Sequence, residues 1–176
     1  MPPVIIHPGL YDSSSEHWQS HWGRQHPDWL RIQQLEWAAP VLEDWVQTLD
    51  ATIRQSKAPP VLVCHSAGCI AAVARVARYG GADIAGALLV APADAERPSF
   101  PTGPAGFSPV PRLRLPFPSI VVASDNDPYA RLERTSMFAA EWGSQLIVLP
   151  NAGHINADAG FGEWPEGMTL LQGLLG

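Results

Sequence analysis

Ser66 occupies the one stretch of this chain whose residue types already describe a reaction. The run Val61-Leu62-Val63-Cys64-His65-Ser66-Ala67-Gly68-Cys69 passes from an apolar strand through a single serine straight into an alanine-rich helix. A sharp strand-to-helix turn forces such a serine into a strained backbone conformation, lifts its hydroxyl above the sheet, and needs small residues two positions to either side. Gly68 meets that need. Cys64 stands where glycine is usual and has to find room, which Ala67, Ala71, Ala72 and the Ala85-Gly86-Ala87 start of the next strand could leave.

A serine hydroxyl attacks a carbonyl only with a base in hydrogen-bond reach and an acid that orients the base. With a serine on this kind of turn, the acid and then the base follow in chain order. Of the six histidines, His154 alone lies beyond the His65-Ser66 pair, in the loop Pro150-Asn151-Ala152-Gly153-His154 after an apolar run. The acid is expected at the end of the preceding strand, Ile120 to Ser124, where Asp125 and Asp127 compete. Asp125 is nearer the strand end, and Asp127 before Pro128 also suits a helix cap, so spacing leaves both open.

An oxyanion hole would take the N–H of Ala67, just after the serine, and a second N–H from His7-Pro8-Gly9-Leu10-Tyr11. The second donor is placed at Leu10, with Gly9 and Tyr11 as alternatives, and His7 reads as a strand-end structural residue. His17 and His21 lie one helical turn apart, but Trp18 replaces the glutamate of a zinc-binding H-E-x-x-H, so no metal is assigned to them. Trp18 and Trp22 read as a packed face. Asn156, Asp158 and Trp164 follow His154 and could frame the site, although loop capping explains the first two equally well.

The elements that must hold these residues alternate between strand-length apolar runs and helical periods, the pattern of a parallel sheet covered on both faces. Six strands are predicted: Val4 to His7, Leu30 to Glu36, Val61 to His65, Ala85 to Val90, Ser119 to Ser124 and Gln145 to Leu149. The second, with two glutamines and an arginine, belongs at an edge. Helices are predicted over Ser15 to Gln25, Ala39 to Gln55, Ala67 to Tyr79, Pro128 to Trp142 and Pro165 to Leu175. In such sheets ligands bind beyond the carboxyl ends of the strands. The stretch from Pro92 to Pro118 is rich in Pro and Gly and exceeds the usual connection of about 4 to 6 residues, so it reads equally as a lid or as an insertion.

A chain of 176 residues fits one domain, 1–176, around one core. The net charge of −6 and the lack of a Lys/Arg cluster exclude nucleic acid and anionic membrane surfaces as expected partners and favour small molecules. Cys64 and Cys69 suit neither a disulfide framework nor a zinc site and are expected as reduced buried thiols, in keeping with a cytoplasmic location. Met1-Pro2-Pro3 leads into Val4 to Ile6 without a basic flank or a long apolar stretch, so neither a signal peptide nor a membrane span is expected.

With these blocks in place, the sequence resembles the small serine hydrolases related to retinoblastoma-binding protein nine. The likeness rests on His7-Pro8-Gly9 with His17-Trp18, on Cys64-His65-Ser66-Ala67-Gly68, on Ser124-Asp125-Asn126-Asp127-Pro128-Tyr129, and on Gly153-His154-Ile155-Asn156 with Gly160-Phe161-Gly162-Glu163-Trp164-Pro165. It spreads over nearly the whole chain. The resemblance implies a reduced α/β-hydrolase fold lacking the first two strands of larger enzymes, and it makes Asp127 the triad acid over Asp125. Ser66, Asp127 and His154 are then expected to cleave a small carboxylic ester or thioester without cofactor or metal. Two rivals remain. One is a protein-binding module with an unused triad, since the family's name implies a protein partner for at least one relative. The other is an amidase or peptidase using the same residues.

Overall fold

Apolar runs too short for helices and bounded by Pro, Gly and polar turns become the strands of one sheet. The computed structural model describes all 176 residues. The strands are β1 (Val4–His7), β2 (Leu30–Arg31), β3 (Val61–His65), β4 (Gly86–Val90), β5 (Ser119–Ser124) and β6 (Gln145–Leu149). They pair in the order β2-β1-β3-β4-β5-β6, all parallel. From β1 the chain goes out to one edge and then returns to build toward the other. Loops leaving β1 and β3 therefore diverge and open a crevice at the carboxyl ends of these strands.

Five helices cover the two faces: α1 (Trp18–Gln25), α2 (Leu42–Gln55), α3 (Ala67–Tyr79), α4 (Leu132–Trp142) and α5 (Pro165–Leu175). Leu62, Cys64, Leu89 and Val121 point to one face and join a core of 28 residues with Trp45 and Leu49 of α2, Ile70 and Val73 of α3, and Phe138 and Trp142 of α4. Their neighbours Val61, Val63, Leu88 and Val122 point the other way, into a core of 15 residues with Trp18 and Trp22 of α1 and Leu171 of α5. Period-two alternation thus serves two apolar layers, which is why β1, β3, β4 and β5 read as unbroken hydrophobic runs. Arg75 of α3, 1% exposed, is neutralised by Asp50 of α2 and by Asp83.

The second strand lies at the edge as expected but is two residues long, not seven. Its ladder ends when Ile32 N–H donates to Ile6 O at 2.9 Å, because β1 stops at His7 before Pro8, which has no N–H. Gln34 then turns inward to donate to Trp45 O at 3.2 Å, while Leu35 is fully exposed. Three helices begin three or four residues later than predicted. His17 Nδ1 caps α1 by accepting Gln19 N–H. The Glu36 carboxylate takes the Ala38 and Ala39 N–H groups before α2, and Asp127 takes Tyr129 N–H before α4. At α1 the side-chain cap fixes the first turn, whereas α2 and α4 start without one, after turns whose backbone N–H groups are held by Glu36 and Asp127.

The segment 92–118 contains neither helix nor regular strand, only an isolated bridge between Ala105 and Val41. Phe107, Val110 and Leu115 anchor it in the larger core. Its first part, through Ala93, Arg97, Phe100 and Pro101, forms a wall of the crevice. No helix is long and apolar enough to cross a membrane.

Candidate active site

Ser66 sits between β3 and α3 with φ 55° and ψ −123°, in the positive-φ region that disfavours a side chain and costs on the order of 1–3 kcal/mol. Its N–H donates to Val90 O at 3.0 Å and its carbonyl accepts Cys69 N–H at 3.0 Å, so strand and helix both hold the strained turn. A methyl group on Gly68 would lie 2.5 Å from Pro8 O and 2.6 Å from His7 O, which explains the glycine after the serine. Cys64 fits on the other side because it points into the core beneath α3, fully buried. Burial pushes the thiols of Cys64 and Cys69 well up, so both stay protonated beside the serine.

The structure brings Ser66, His154 and Asp127 together. His154 Nε2 lies 2.9 Å from Ser66 Oγ, and its Nδ1 lies 2.9 and 3.0 Å from the two Asp127 oxygens. Both partners of the His154–Asp127 pair are shielded, with side chains 9% and 4% exposed, so the pair is weakly screened. Asp125 does not reach the imidazole. Its Oδ1 accepts Asn151 N–H at 2.7 Å, while Ser124 Oγ accepts Ala152 N–H at 3.0 Å and Asn126 Oδ1 accepts Gly153 N–H at 2.7 Å. Three consecutive side chains at the carboxyl end of β5 thus hold three consecutive N–H groups of the loop that carries His154. Their role as positioning residues was not legible from spacing, although they lie in the Ser124 to Tyr129 block.

From the far side, Trp18 Nε1–H donates to Ile155 O at 2.9 Å and Trp22 Nε1–H to Glu163 O at 2.8 Å. The two tryptophans are core, as their spacing suggested, and they also fix the segment after His154. His65 Nε2–H donates to His154 O at 2.9 Å. His7, buried at the end of β1, donates from Nδ1 to Pro8 O at 2.7 Å. Burial lowers His7 to about 4, holds His17 at about 3 and pushes His65 well below its ordinary range, so all three are neutral. Because His17 Nδ1 accepts Gln19 N–H, its proton is on Nε2, a buried donor without a protein partner. His21 approaches Glu16 at 3.9 Å rather than pairing with His17 around a common point.

Beside Ser66 the N–H groups of Ala67 and Leu10 donate to no protein atom, whereas Tyr11 N–H is taken by Trp37 O at 2.9 Å. Tyr11 is thereby removed from the candidate oxyanion donors. A methyl on Gly9 would fall 2.8 Å from Ser66 Cβ and 3.3 Å from Ala67 N, so the bare glycine keeps the space between these donors open. That space continues into a cavity of about 210 Å³ lined by Leu10, His17, Arg97, Phe100, Tyr129 and Asn156, among others. Asn156 also caps the short turn Ala157–Ala159 through Oδ1. Asp158 is exposed outside the cavity, and Trp164 packs against both Trp18 and Trp22, which also touch each other. Arg97 and Tyr129 are lining residues that sequence reasoning did not single out. A serine with a polarising base, an oriented imidazole and two open N–H donors can carry out acyl transfer.

The model of the serine hydrolase family matches residues 4–173. Among solved structures, a YdeN-like hydrolase from Pectobacterium atrosepticum is 38% identical, with TM-score 0.88 over 99% of this chain and 90% of that one. The ydeN gene product of B. subtilis is 22% identical, with TM-score 0.85 over 99% of each chain. An α/β hydrolase from Agrobacterium tumefaciens at 14% identity shares the fold, with TM-score 0.64 over 99% of this chain and 84% of that one. No curated protein is matched by the sequence. The six-stranded parallel sheet with helices on both faces is a reduced α/β-hydrolase fold, as the resemblance implied.

Proposed function

The chain belongs to the serine hydrolase family, and from that premise we propose that it cleaves small carboxylic esters or thioesters through an acyl-enzyme on Ser66. The observation that carries this reading is the unbroken hydrogen-bond line that starts at the strained Ser66 and runs from its Oγ through the His154 imidazole to Asp127. A protein-binding surface has no use for that strain, which costs stability wherever it occurs. The cavity of about 210 Å³ suits a small substrate.

In the proposed reaction His154 Nε2 accepts the Ser66 proton as Oγ bonds to the carbonyl carbon, and the electron pair moves to the carbonyl oxygen. The N–H groups of Ala67 and Leu10 stabilise that oxyanion, and Asp127 holds the imidazolium through Nδ1–H. Collapse expels the alcohol or thiol with the proton from His154, leaving the acyl group on Ser66. Water then repeats the sequence: His154 removes its proton, the tetrahedral adduct forms, and Ser66 departs reprotonated as the carboxylic acid is released. No cofactor enters this scheme, and the two free buried thiols fit a cytoplasmic setting.

Fluorophosphonate labelling is the direct test, since only an activated serine reacts rapidly. Folded wild type should be labelled and Ser66→Ala should not; an unlabelled folded wild type would remove the mechanism. Matched esters and amides then separate an esterase from an amidase. Gly9→Ala probes the oxyanion pocket. Its methyl group would crowd Ser66 Cβ and the Ala67 N–H, and kcat/KM is expected to fall by about 10²- to 10³-fold, the effect of losing one oxyanion donor. Activity unchanged in Gly9→Ala would place the oxyanion elsewhere.

A further inference from the structure

We propose that Arg97 binds a carboxylate on the substrate, so that the preferred esters of this hydrolase are anionic. The inference rests on the acyl-enzyme reading for the location of the reacting bond.

Arg97 lines the cavity that also holds Ser66 and His154. Its guanidinium carbon lies 5.0 Å from the centre of the Tyr129 ring, which packs edge-on against the His154 imidazole at 4.6 Å. One aromatic ring therefore separates the charge from the base. The surrounding carboxylates are already taken. Asp94 is bound by Arg134 through Nε and Nη2, Glu96 by Arg112 and Arg134, Asp12 by Arg31, and Asp127 faces His154. No carboxylate lies within 4.0 Å of Arg97.

The unused donors of Arg97 have a definite shape. Nη1 donates to Pro128 O at 3.0 Å, which anchors the group. Nε is buried without a partner and Nη2 makes no protein hydrogen bond. Nε–H and Nη2–H share one edge of the guanidinium, and that edge takes both oxygens of a carboxylate. Arg134 grips Asp94 through this same pair of atoms, at 2.9 and 3.1 Å. Only three buried side-chain N or O atoms lack a hydrogen bond, and two of them, Arg97 Nε and His17 Nε2, belong to residues lining this cavity. Both are donors, so the complementary ligand is rich in acceptors. Nε is closed to solvent in the empty protein, so a carboxylate meets Nη2–H first and pairs with Nε–H once the Arg97 side chain turns toward the cavity.

The test compares two acetyl esters of equal shape, 4-acetoxybenzoate and 4-acetoxybenzamide, binding to Ser66→Ala by titration calorimetry, where no turnover occurs. The carboxylate is expected to bind about 10- to 100-fold tighter, the value of a hydrogen bond to a charged group. Adding Arg97→Gln should erase the difference and leave the amide's affinity within about threefold, while Arg97→Lys, which keeps charge without the fork, should restore part of it. Equal affinities in Ser66→Ala, no binding of either ester, or equal weakening of both by Arg97→Gln would overturn the proposal; the last result would make Arg97 only a clamp on Pro128. Cleavage of the neutral 4-acetoxybenzamide by wild type reports separately on the hydrolase reading, so either idea can fail alone.

Discussion

Ser66→Ala and His154→Ala are expected to lower kcat by about 10⁴- to 10⁶-fold while the protein stays folded, because each removes a member of a unit that acts together. Folding should survive, since neither side chain holds an element in place: Ser66 is anchored through its backbone, and the His154 loop is held by Ser124, Asp125, Asn126 and the carbonyl contact with His65. The sharper comparison is Asp127→Asn beside Asp125→Asn. At position 127 the asparagine oxygen can keep the Tyr129 N–H, but its amide then presents N–H to the Nδ1–H of His154. The imidazole must turn or change tautomer, and a loss of about 10⁴-fold in kcat is expected. At position 125 an asparagine still offers an oxygen to Asn151 N–H, so the loss should stay below about tenfold. Steady-state kinetics on a single activated ester decides the matter. Equal losses at both positions would mean that loop positioning, not the acid beside the imidazole, carries the effect.

Acid should destabilise this protein well before its carboxylates titrate. His7 and His17 have folded values near 4 and 3, against 6.5 for an unfolded histidine, and His65 is shifted in the same direction. Between pH 6.5 and about 4 the unfolded chain binds protons that the native chain refuses. Stability is therefore full above pH 6.5 and falls as the pH drops, by up to about 1.4 kcal/mol per pH unit for each such histidine. From pH 7 to pH 5, His7 and His17 together should cost on the order of 3–4 kcal/mol, with His65 adding to it. That is a large part of the roughly 5–15 kcal/mol of a typical domain. Asp50, Asp83 and Glu96, all lowered, act in the same sense at lower pH. Urea unfolding at pH 7, 6 and 5 measures the slope, and a stability that is flat over this range would show that the three histidines are not held neutral.

The inward-facing side of the site also bears on the design of substrates. Phe100 and Leu10 line the same cavity as Arg97 and His17, so the space at Ser66 combines apolar surface with hydrogen-bond donors. Ligand pockets commonly pair an apolar lining with a few placed polar groups that fix orientation.

Much of this protein was determined by sequence alone. Unbroken apolar runs, a helix opening at Ala67 and a lone histidine after the last strand are local signals, and a parallel sheet allows few ways to connect them. The positions of Ser66 and His154 followed from that order. Asp125 and Asp127, two residues apart, could not be separated in the same way, because the choice depends on which carboxylate faces an imidazole 27 residues further on. Spacing along the chain does not encode side-chain direction across a turn. The length of β2 was decided by where its partner β1 ends, the start of α1 by the His17 cap, and the late starts of α2 and α4 by turns that Glu36 and Asp127 hold ahead of those helices. The clamp of Ser124, Asp125 and Asn126, the neutral histidines and the unpaired edge of Arg97 are tertiary facts. Each exists only because segments far apart in sequence exclude water from one another, and burial is what sets protonation and hydrogen-bond demand.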